Sequence, residues 1–337
     1  MVNTRKLIVR DGARISNSTD INSQGAGGKL TVNASDSVEL SGAGSDGDPS
    51  GLFARTSGTG AAGDLKIDTG KLIVRDGAQA SVASVGPGSG DAGNLEVAAR
   101  SIRLGNQGAI VAETASAQGG NITLQVQDLL LMRNNSQIST SAGNAQIGGD
   151  GGNININTKF LVAGSQENSD ITANAYTGKG GTVEIAASGI FGFVPRNREE
   201  LTTLLGTDDP NELNPGRLAS SDITAISQAN SSLSGQLTIN TPDVNPNWGL
   251  VNLPTELVDA SGLIATGCAA GGESVASSEF IVTGRGGLPP NPSEALNRYT
   301  IWTDLRPNPY PAENRPSSAA ATQPLNPTAE QLVEAQG

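Results

Sequence analysis

Chemistry has few places to reside in this chain. Its 337 residues include no histidine, which removes Ser-His-Asp and Cys-His catalysis, histidine-ligated zinc and histidine acid–base work together. The one cysteine, Cys268, lies in Gly267-Cys268-Ala269-Ala270-Gly271-Gly272 with no activating partner beside it. It reads as an inert thiol and cannot form an internal disulfide. The carboxylates Asp11, Asp36, Glu39, Asp64, Asp68, Asp76, Glu96 and Glu113 are scattered, whereas glycoside hydrolysis needs two that face each other at a set separation. Gly58-Thr59-Gly60-Ala61-Ala62-Gly63 satisfies G-x-G-x-x-G, but a dinucleotide site needs those glycines to open a helix. Here Asp64-Leu65-Lys66-Ile67 follows, which reads as strand. Gly148-Gly149-Asp150-Gly151-Gly152-Asn153 is similar to a calcium-binding nonapeptide; that motif binds only when repeated in register, and a single copy reads as a turn. Catalytic, cofactor-binding and metal residues are therefore all assigned as none, and the chain is read as not an enzyme.

The elements that would position any site are far more legible. KLIVRDGA occurs at Lys6–Ala13 and again at Lys71–Ala78, inside a degenerate repeat that runs to about Val244. Each unit opens at a glycine: Gly28, Gly63, Gly93, Gly120, Gly152, Gly181 and Gly235, at intervals of 27 to 35 residues until a last one of 54. A first alternating strand follows (Leu95/Val97; Ile122/Leu124/Val126; Ile154/Ile156), then a second (Leu72/Val74; Ile102/Leu104; Leu129/Leu131) and a third near Ile110, Ile138 or Ile171. Period-two alternation with polar partners marks half-buried strands. Three short strands cannot close a sheet alone, but stacked coil on coil each pairs in parallel with its counterpart at about 4.8 Å. The expected fold is all-β: a right-handed parallel β-helix, a solenoid of about three strands per coil, with a Pro-rich C-terminal tail. Helical runs for an α/β fold and four-stranded blades for a propeller are missing. Asn94, Asn121 and Asn153 occupy equivalent turns and are expected to stack as an amide ladder. Lys29, Asp64, Thr182 and Gln236 hold the same place elsewhere. Arg10-Asp11 and Arg75-Asp76 recur with the repeat and read as turn-region pairs.

Composition agrees. Aromatics are 3% of residues, so small aliphatics must carry the burial in a narrow core. Glycine is abundant, at 44 residues, without a three-residue period, which excludes collagen. A net charge of −12 argues against nucleic acid as a partner. No apolar run reaches the ~18 residues of a membrane span.

Residues 1–245 thus form the repeat domain, with an inserted loop at 191–219. Phe191-Gly192-Phe193-Val194-Pro195 leads there into a helix-prone Glu199–Leu205, and the solenoid is expected to resume at Ser220. Asp222–Ile226 reads as a third strand and Gln236–Ile239 as a first. Residues 246–306 form a C-terminal segment expected to cap the solenoid, and the Pro-, Ala- and Ser-rich 307–337 is expected to be disordered.

Gly28-Lys29-Leu30-Thr31-Val32-Asn33-Ala34 and Leu7-Ile8-Val9-Arg10-Asp11-Gly12-Ala13 resemble the repeats of cyanobacterial filamentous-haemagglutinin-like exoproteins, the S-layer or two-partner-secretion group. Leu257-Val258-Asp259, Gly267-Cys268, Phe280–Pro292 and Trp302-Thr303-Asp304-Leu305-Arg306 are similar to that family's C-terminal signature. The resemblance, covering roughly residues 4–306, implies an extracellular or cell-surface, outer-membrane-associated protein acting in adhesion. It also implies an outer-membrane transporter as secretion partner, with cell-surface or extracellular glycans and proteins as further partners. Because no signal peptide or secretion domain precedes the repeat, the chain is expected to be the C-terminal portion of a larger exoprotein, its uncapped first coil free to self-associate. The alternative function is a carbohydrate-active β-helix enzyme, a polysaccharide lyase or glycosidase.

Overall fold

A computed structural model describes residues 1–86, 88–143 and 148–242. Cys268, the 246–306 segment and the 307–337 tail lie outside the described residues. Long strands alternate with short ones along the chain. The long set is β1 (Val2–Arg10), β3 (Leu30–Ser41), β5 (Leu65–Arg75), β7 (Leu95–Gly105), β9 (Ile122–Met132), β11 (Asn153–Ala163), β13 (Thr182–Phe191) and a shorter β16 (Gln236–Asn240). The short set is β2 (Arg14–Ser16), β4 (Gly51–Phe53), β6 (Gln79–Ser81), β8 (Ala109–Val111), β10 (Gln137–Ser139), β12 (Asp170–Thr172), β14 (Phe193–Arg196) and β15 (Ser221–Thr224). Each set forms one parallel sheet, in the orders β1-β3-β5-β7-β9-β11-β13-β16 and β14-β15-β12-β10-β8-β6-β4-β2. The result is a β-solenoid.

The first and second strands of each coil run on as one long strand that turns a corner at its middle. The inward residue there is buried: Thr69, Ala99, Val126, Thr158 and Ala187. Register shifts at this corner, between Ala34 and Ser37 and again between Asn157 and Phe160, accommodate the turn. Inward side chains then stack in columns along the axis. Leu30, Leu65, Leu95, Ile122, Ile154 and Val183 are successive Cα partners, as are Leu52, Ala80, Ile110, Ile138, Ile171 and Ile223. All are buried in a single continuous cluster. Small aliphatics suffice because each fills the gap between its copies above and below.

The anchor glycines explain how closely the coils approach. A Cβ at Gly93 would lie 1.9 Å from the carbonyl oxygen of Gly63, one at Gly120 1.9 Å from that of Gly93, and one at Gly152 1.8 Å from that of Gly120. Each glycine is the clearance for the coil before it. The need is steric, since none of these three has a left-handed φ.

The expected Asn ladder forms. Asn94 Nδ2 donates to Asp64 Oδ1 (3.1 Å), Asn121 Nδ2 to Asn94 Oδ1 (2.9 Å) and Asn153 Nδ2 to Asn121 Oδ1 (3.0 Å), and the Thr182 backbone N–H closes on Asn153 Oδ1 (3.3 Å). A second ladder, not anticipated from the sequence, links Asp76, Asn106 and Asn134 at 2.9 Å per step. These residues have φ of 57°, 48° and 51°; left-handed turns favour Asn and Asp, whose side chains can then bond along the stack. The DG of KLIVRDGA is this turn. A third series of single-residue bridges runs Thr19, Thr56, Ser84, Thr114, Ala142, Ala175, Ser227.

Residues 191–219 do more than project as a loop. After β13, β14 adds a strand beyond β15 on the short-strand sheet, with Pro195 opposite Ile223. A proline on an outer strand withholds a backbone donor and blunts that edge. Helix α1 (Arg198–Leu205) follows, closed by a capping box between Asn197 and Glu200. Its Leu201 packs with Leu213 and Ile226 in a small separate core. The solenoid resumes as the sequence indicated: Ile171 pairs with Ile223 and Val183 with Leu237.

Two outcomes test this architecture. Gly120→Ala should destabilise the protein by at least ~2–3 kcal/mol, the cost of overpacking. Gly105→Ala, whose Cβ meets nothing nearer than 4.0 Å, should be tolerated in the same denaturation assay. Equal effects would reject the clearance argument. At the other end, among the described residues β1 is paired only on its β3 side and leaves Ile8 49% exposed. Free strand edges template further pairing, so sedimentation velocity should show concentration-dependent association; a monomer throughout the series would reject it.

Candidate functional site

The corner of the long-strand sheet is concave outward and forms a trough of about 770 Å³. Strand alternation sets its two walls. Asp68, Ala98, Gln125 and Asn157 are consecutive register partners on one side, and Gly70, Arg100, Gln127 and Lys159 stand on the other. The trough crosses β5 to β13, four spacings of about 4.8 Å, so it is roughly 19 Å long. Beside Lys159, whose Nζ lies 5.7 Å from the Phe160 ring centroid, Phe160 and Phe191 form an exposed aromatic pair with centroids 6.5 Å apart. Leu129, Leu131 and Val162 share that outer surface, partly buried. The expected Leu129/Leu131 pair thus faces outward, and Leu130 and Met132, register partners of Ile102 and Leu104, take the inward positions of the four-residue apolar run.

The outer face of the short-strand sheet is different in character. Near β4 the Phe53 ring is flanked by the guanidinium groups of Arg14, at 5.0 Å, and Arg55, at 4.5 Å. Burial pulls the Arg55 pKa down to about 10, helped by the Arg14 charge, which leaves it cationic at neutral pH. Further along, Glu113 accepts from Ser139 Oγ and from Gln137 Nε2 (3.4 Å). At β12 and β15 two aspartates are in register. Asp222 is fully buried; its Oδ1 accepts from Arg196 Nε at 3.0 Å and its Oδ2 from Ser220 Oγ at 2.8 Å. Asp170 is 8% exposed, and its Oδ1 accepts only the Asp222 backbone N–H, at 2.8 Å. Burial without a cationic partner raises the Asp170 pKa to about 7, and the nearby Asp222 charge pushes the same way.

The acids singled out in the sequence do not converge. Asp11 pairs with Arg10 at 3.4 Å and Asp76 contacts Arg75, so the recurring Arg-Asp pairs form as expected. Glu39 meets Arg75 at 3.0 Å and Glu96 meets Lys66 at 2.9 Å. Asp64 and Asp76 end the two ladders, Asp36 is exposed at the corner, and Asp68 stands in the trough. Gly58, Gly60 and Gly63 each lie against a carbonyl oxygen of the preceding coil, at 2.1, 2.3 and 2.0 Å from a built Cβ, and strand β5 follows them. Close coil contact therefore accounts for the GxGxxG spacing. Asp150 Oδ1 accepts the Lys179 backbone N–H of the next coil at 2.8 Å; Gly148–Gly152 is an irregular approach to β11, which begins at Asn153, and not the turn expected. Among the described residues no group of three or more Cys, Asp or Glu could hold a metal ion, and no helix is long and apolar enough to cross a membrane. Sequence reasoning missed Asp170, Asp222 and Arg196, since only folding over the 54-residue interval brings β14, β15 and β12 together.

Comparison of the chain with protein-family models, curated proteins and solved structures gave no match.

The Asp170 environment has a measurable consequence. An unfolded aspartate has a pKa near ~3.9, so between that value and the native value of about 7 the folded state holds a proton that the unfolded state has lost. Stability from this group is present at low pH and declines as pH rises through that window, by on the order of a few kcal/mol. Asp170→Asn keeps the acceptor for the Asp222 N–H and abolishes the titration. In thermal melts the variant should be the more stable protein at pH 8, with a smaller fall between pH 5 and 8. Parallel curves would show that Asp170 is not desolvated as described.

Proposed function

We propose that this chain is part of a secreted or surface-exposed, adhesin-like exoprotein, a stacked-coil scaffold that holds extended glycan or protein strands along its long-strand sheet. The observation that carries the reading is the trough. Its walls are built from equivalent positions of successive coils, so it offers side chains at a regular spacing, which suits an extended polymer. Arg100 and Lys159 supply cations and Asn157, Gln125 and Gln127 supply amides. The neighbouring Phe160–Phe191 pair adds an apolar platform of the kind sugar rings stack on. Asp68 is the trough's one carboxylate; a single acid favours binding over the paired-carboxylate cleavage of a glycosidase. Export through an outer-membrane transporter belongs to the same proposal and rests on the sequence resemblance.

Binding to immobilised extracellular polysaccharides and to cell surfaces tests the reading. Arg100→Ala, Lys159→Ala and Phe191→Ala should each weaken binding by about two- to five-fold, the scale of an exposed cation or ring contact of ~0.5–1 kcal/mol. Polysaccharide turnover, seen as new unsaturated or reducing ends and lost on substitution of an acidic residue, would overturn it in favour of an enzyme. Binding unaffected by all three changes would remove the trough from the account.

A further inference from the structure

A second cavity lies on the other sheet. It encloses about 220 Å³, and its lining includes Glu113, Gln137, Asp170, Asn174, Asn214, Gly216 and Gln228. The floor is the outer face of β10 and β12, where Gln137 is the register partner of Asp170 and Ser139 that of Thr172. Asn214 and Gly216, from the segment between α1 and β15, and Gln228, from just after β15, complete the lining. The residues inserted in the last, 54-residue interval therefore convert an open sheet face into a pocket.

Its polar groups are arranged in a consistent way. Asp170 and Asn174 are 8% and 6% exposed. Each is fixed through one atom: Asp170 Oδ1 accepts from the Asp222 N–H at 2.8 Å, and Asn174 Oδ1 from the Ile226 N–H at 2.9 Å. Among the described residues the second atom of each, Asp170 Oδ2 and Asn174 Nδ2, has no hydrogen-bond partner, and both side chains line the cavity. The lining residues from the inserted end repeat the pattern. Asn214 Oδ1 is taken by the Gly216 N–H at 2.9 Å and Gln228 Nε2 by Leu213 O at 2.8 Å, leaving Asn214 Nδ2 and Gln228 Oε1 over. Two acceptors and two donors thus remain on anchored side chains. All four line the cavity on side chains held at one atom, so a ligand that both donates and accepts at neighbouring atoms fits them best. A hydroxyl does both. The N–H donors oppose a bare cation, and Asp170 with Glu113 opposes an anion. The volume is below the ~300–1,000 Å³ of pockets for drug-sized ligands, which limits the occupant to about one ring.

We infer that this pocket binds a single neutral sugar residue through its vicinal hydroxyls, held between Asp170 Oδ2, Asn174 Nδ2 and the side chains of Asn214 and Gln228. The site stands on the short-strand sheet, whereas the trough stands on the long-strand sheet, so the inference is independent of the polymer-binding reading.

Saturation-transfer NMR on the full chain, with a panel of neutral methyl glycosides at millimolar concentration, tests it. At least one glycoside should give saturation transfer. Gly216→Leu should abolish the signal: a Cβ there sits 3.8 Å from Asp170 Oδ2 and meets Asn214 Oδ1 at 3.2 Å, so a larger side chain is directed at the site, and the position has no left-handed φ to strain. Asn214→Asp, which keeps the Oδ1 acceptor for the Gly216 N–H and removes the Nδ2 donor, should weaken the interaction several-fold without loss of the folded state in thermal melts. Three results would overturn the inference: no transfer from any glycoside to the folded wild-type chain, transfer that survives Gly216→Leu, or calcium binding lost in Gly216→Leu with no sugar binding at all.

Discussion

Each coil rests on the one before it at the spacing of a single β-strand, and the rest of the described solenoid follows from that constraint. The anchor glycines express it most directly: at Gly93, Gly120, Gly152 and Gly181 a Cβ would fall within 2.0 Å of the preceding coil's carbonyl oxygen. With the coils so close, inward residues must be small aliphatics that stack on their own copies. Outward residues form columns. Turn residues must either fill a left-handed conformation or bond along the axis, and Asn does both. A nearest-neighbour solenoid of this kind gains stability coil by coil, which is why few aromatics are needed.

The same constraint organises the surface. Because equivalent positions recur on every strand, the corner of the long-strand sheet yields a regular trough without any residue being specialised for it. Specialisation enters where the repeat is interrupted. Between β13 and β15 the chain adds a strand, a helix and a small core of Leu201, Leu213 and Ile226. Near them lie two buried aspartates, Asp222 answered by Arg196 and Asp170 with no ion pair among the described residues. Burying an unpaired carboxylate carries a stability penalty. Asp170 stands in a lined cavity, not along a smooth coil face.

Much of the scaffold could be read from residue order. The glycine anchors, the Leu and Ile columns, the Asn94–Asn121–Asn153 ladder and the resumption at Ile223 and Leu237 all follow from spacing, since a column in space is a period in sequence. The Asp76–Asn106–Asn134 ladder was open to the same logic, as each residue lies two positions after the last inward aliphatic of its long strand, Val74, Leu104 or Met132. So was the bridge series, which stays four residues after the inward residue of each short strand, from Ile15 and Thr19 to Ile223 and Ser227. Both are harder to see because their columns mix residue types, Asp with Asn in one and Thr, Ser and Ala in the other.

By itself, then, the sequence determined the fold class, the coil boundaries and most of the inward-facing side chains, because these depend on local alternation and on a repeat that pairs like with like. In the apolar run Leu129–Met132 alternation was ambiguous, and the structure turns Leu130 and Met132 inward. Only the tertiary structure decided where Asp170, Asn174, Asn214 and Gln228 meet. Those residues belong to different coils and to a stretch with no repeat, so no period predicts their distances. Their chemistry depends on that meeting: an aspartate in a strand has an ordinary pKa until other parts of the chain exclude water from it, and a cavity exists only once its lining and its floor are both in place.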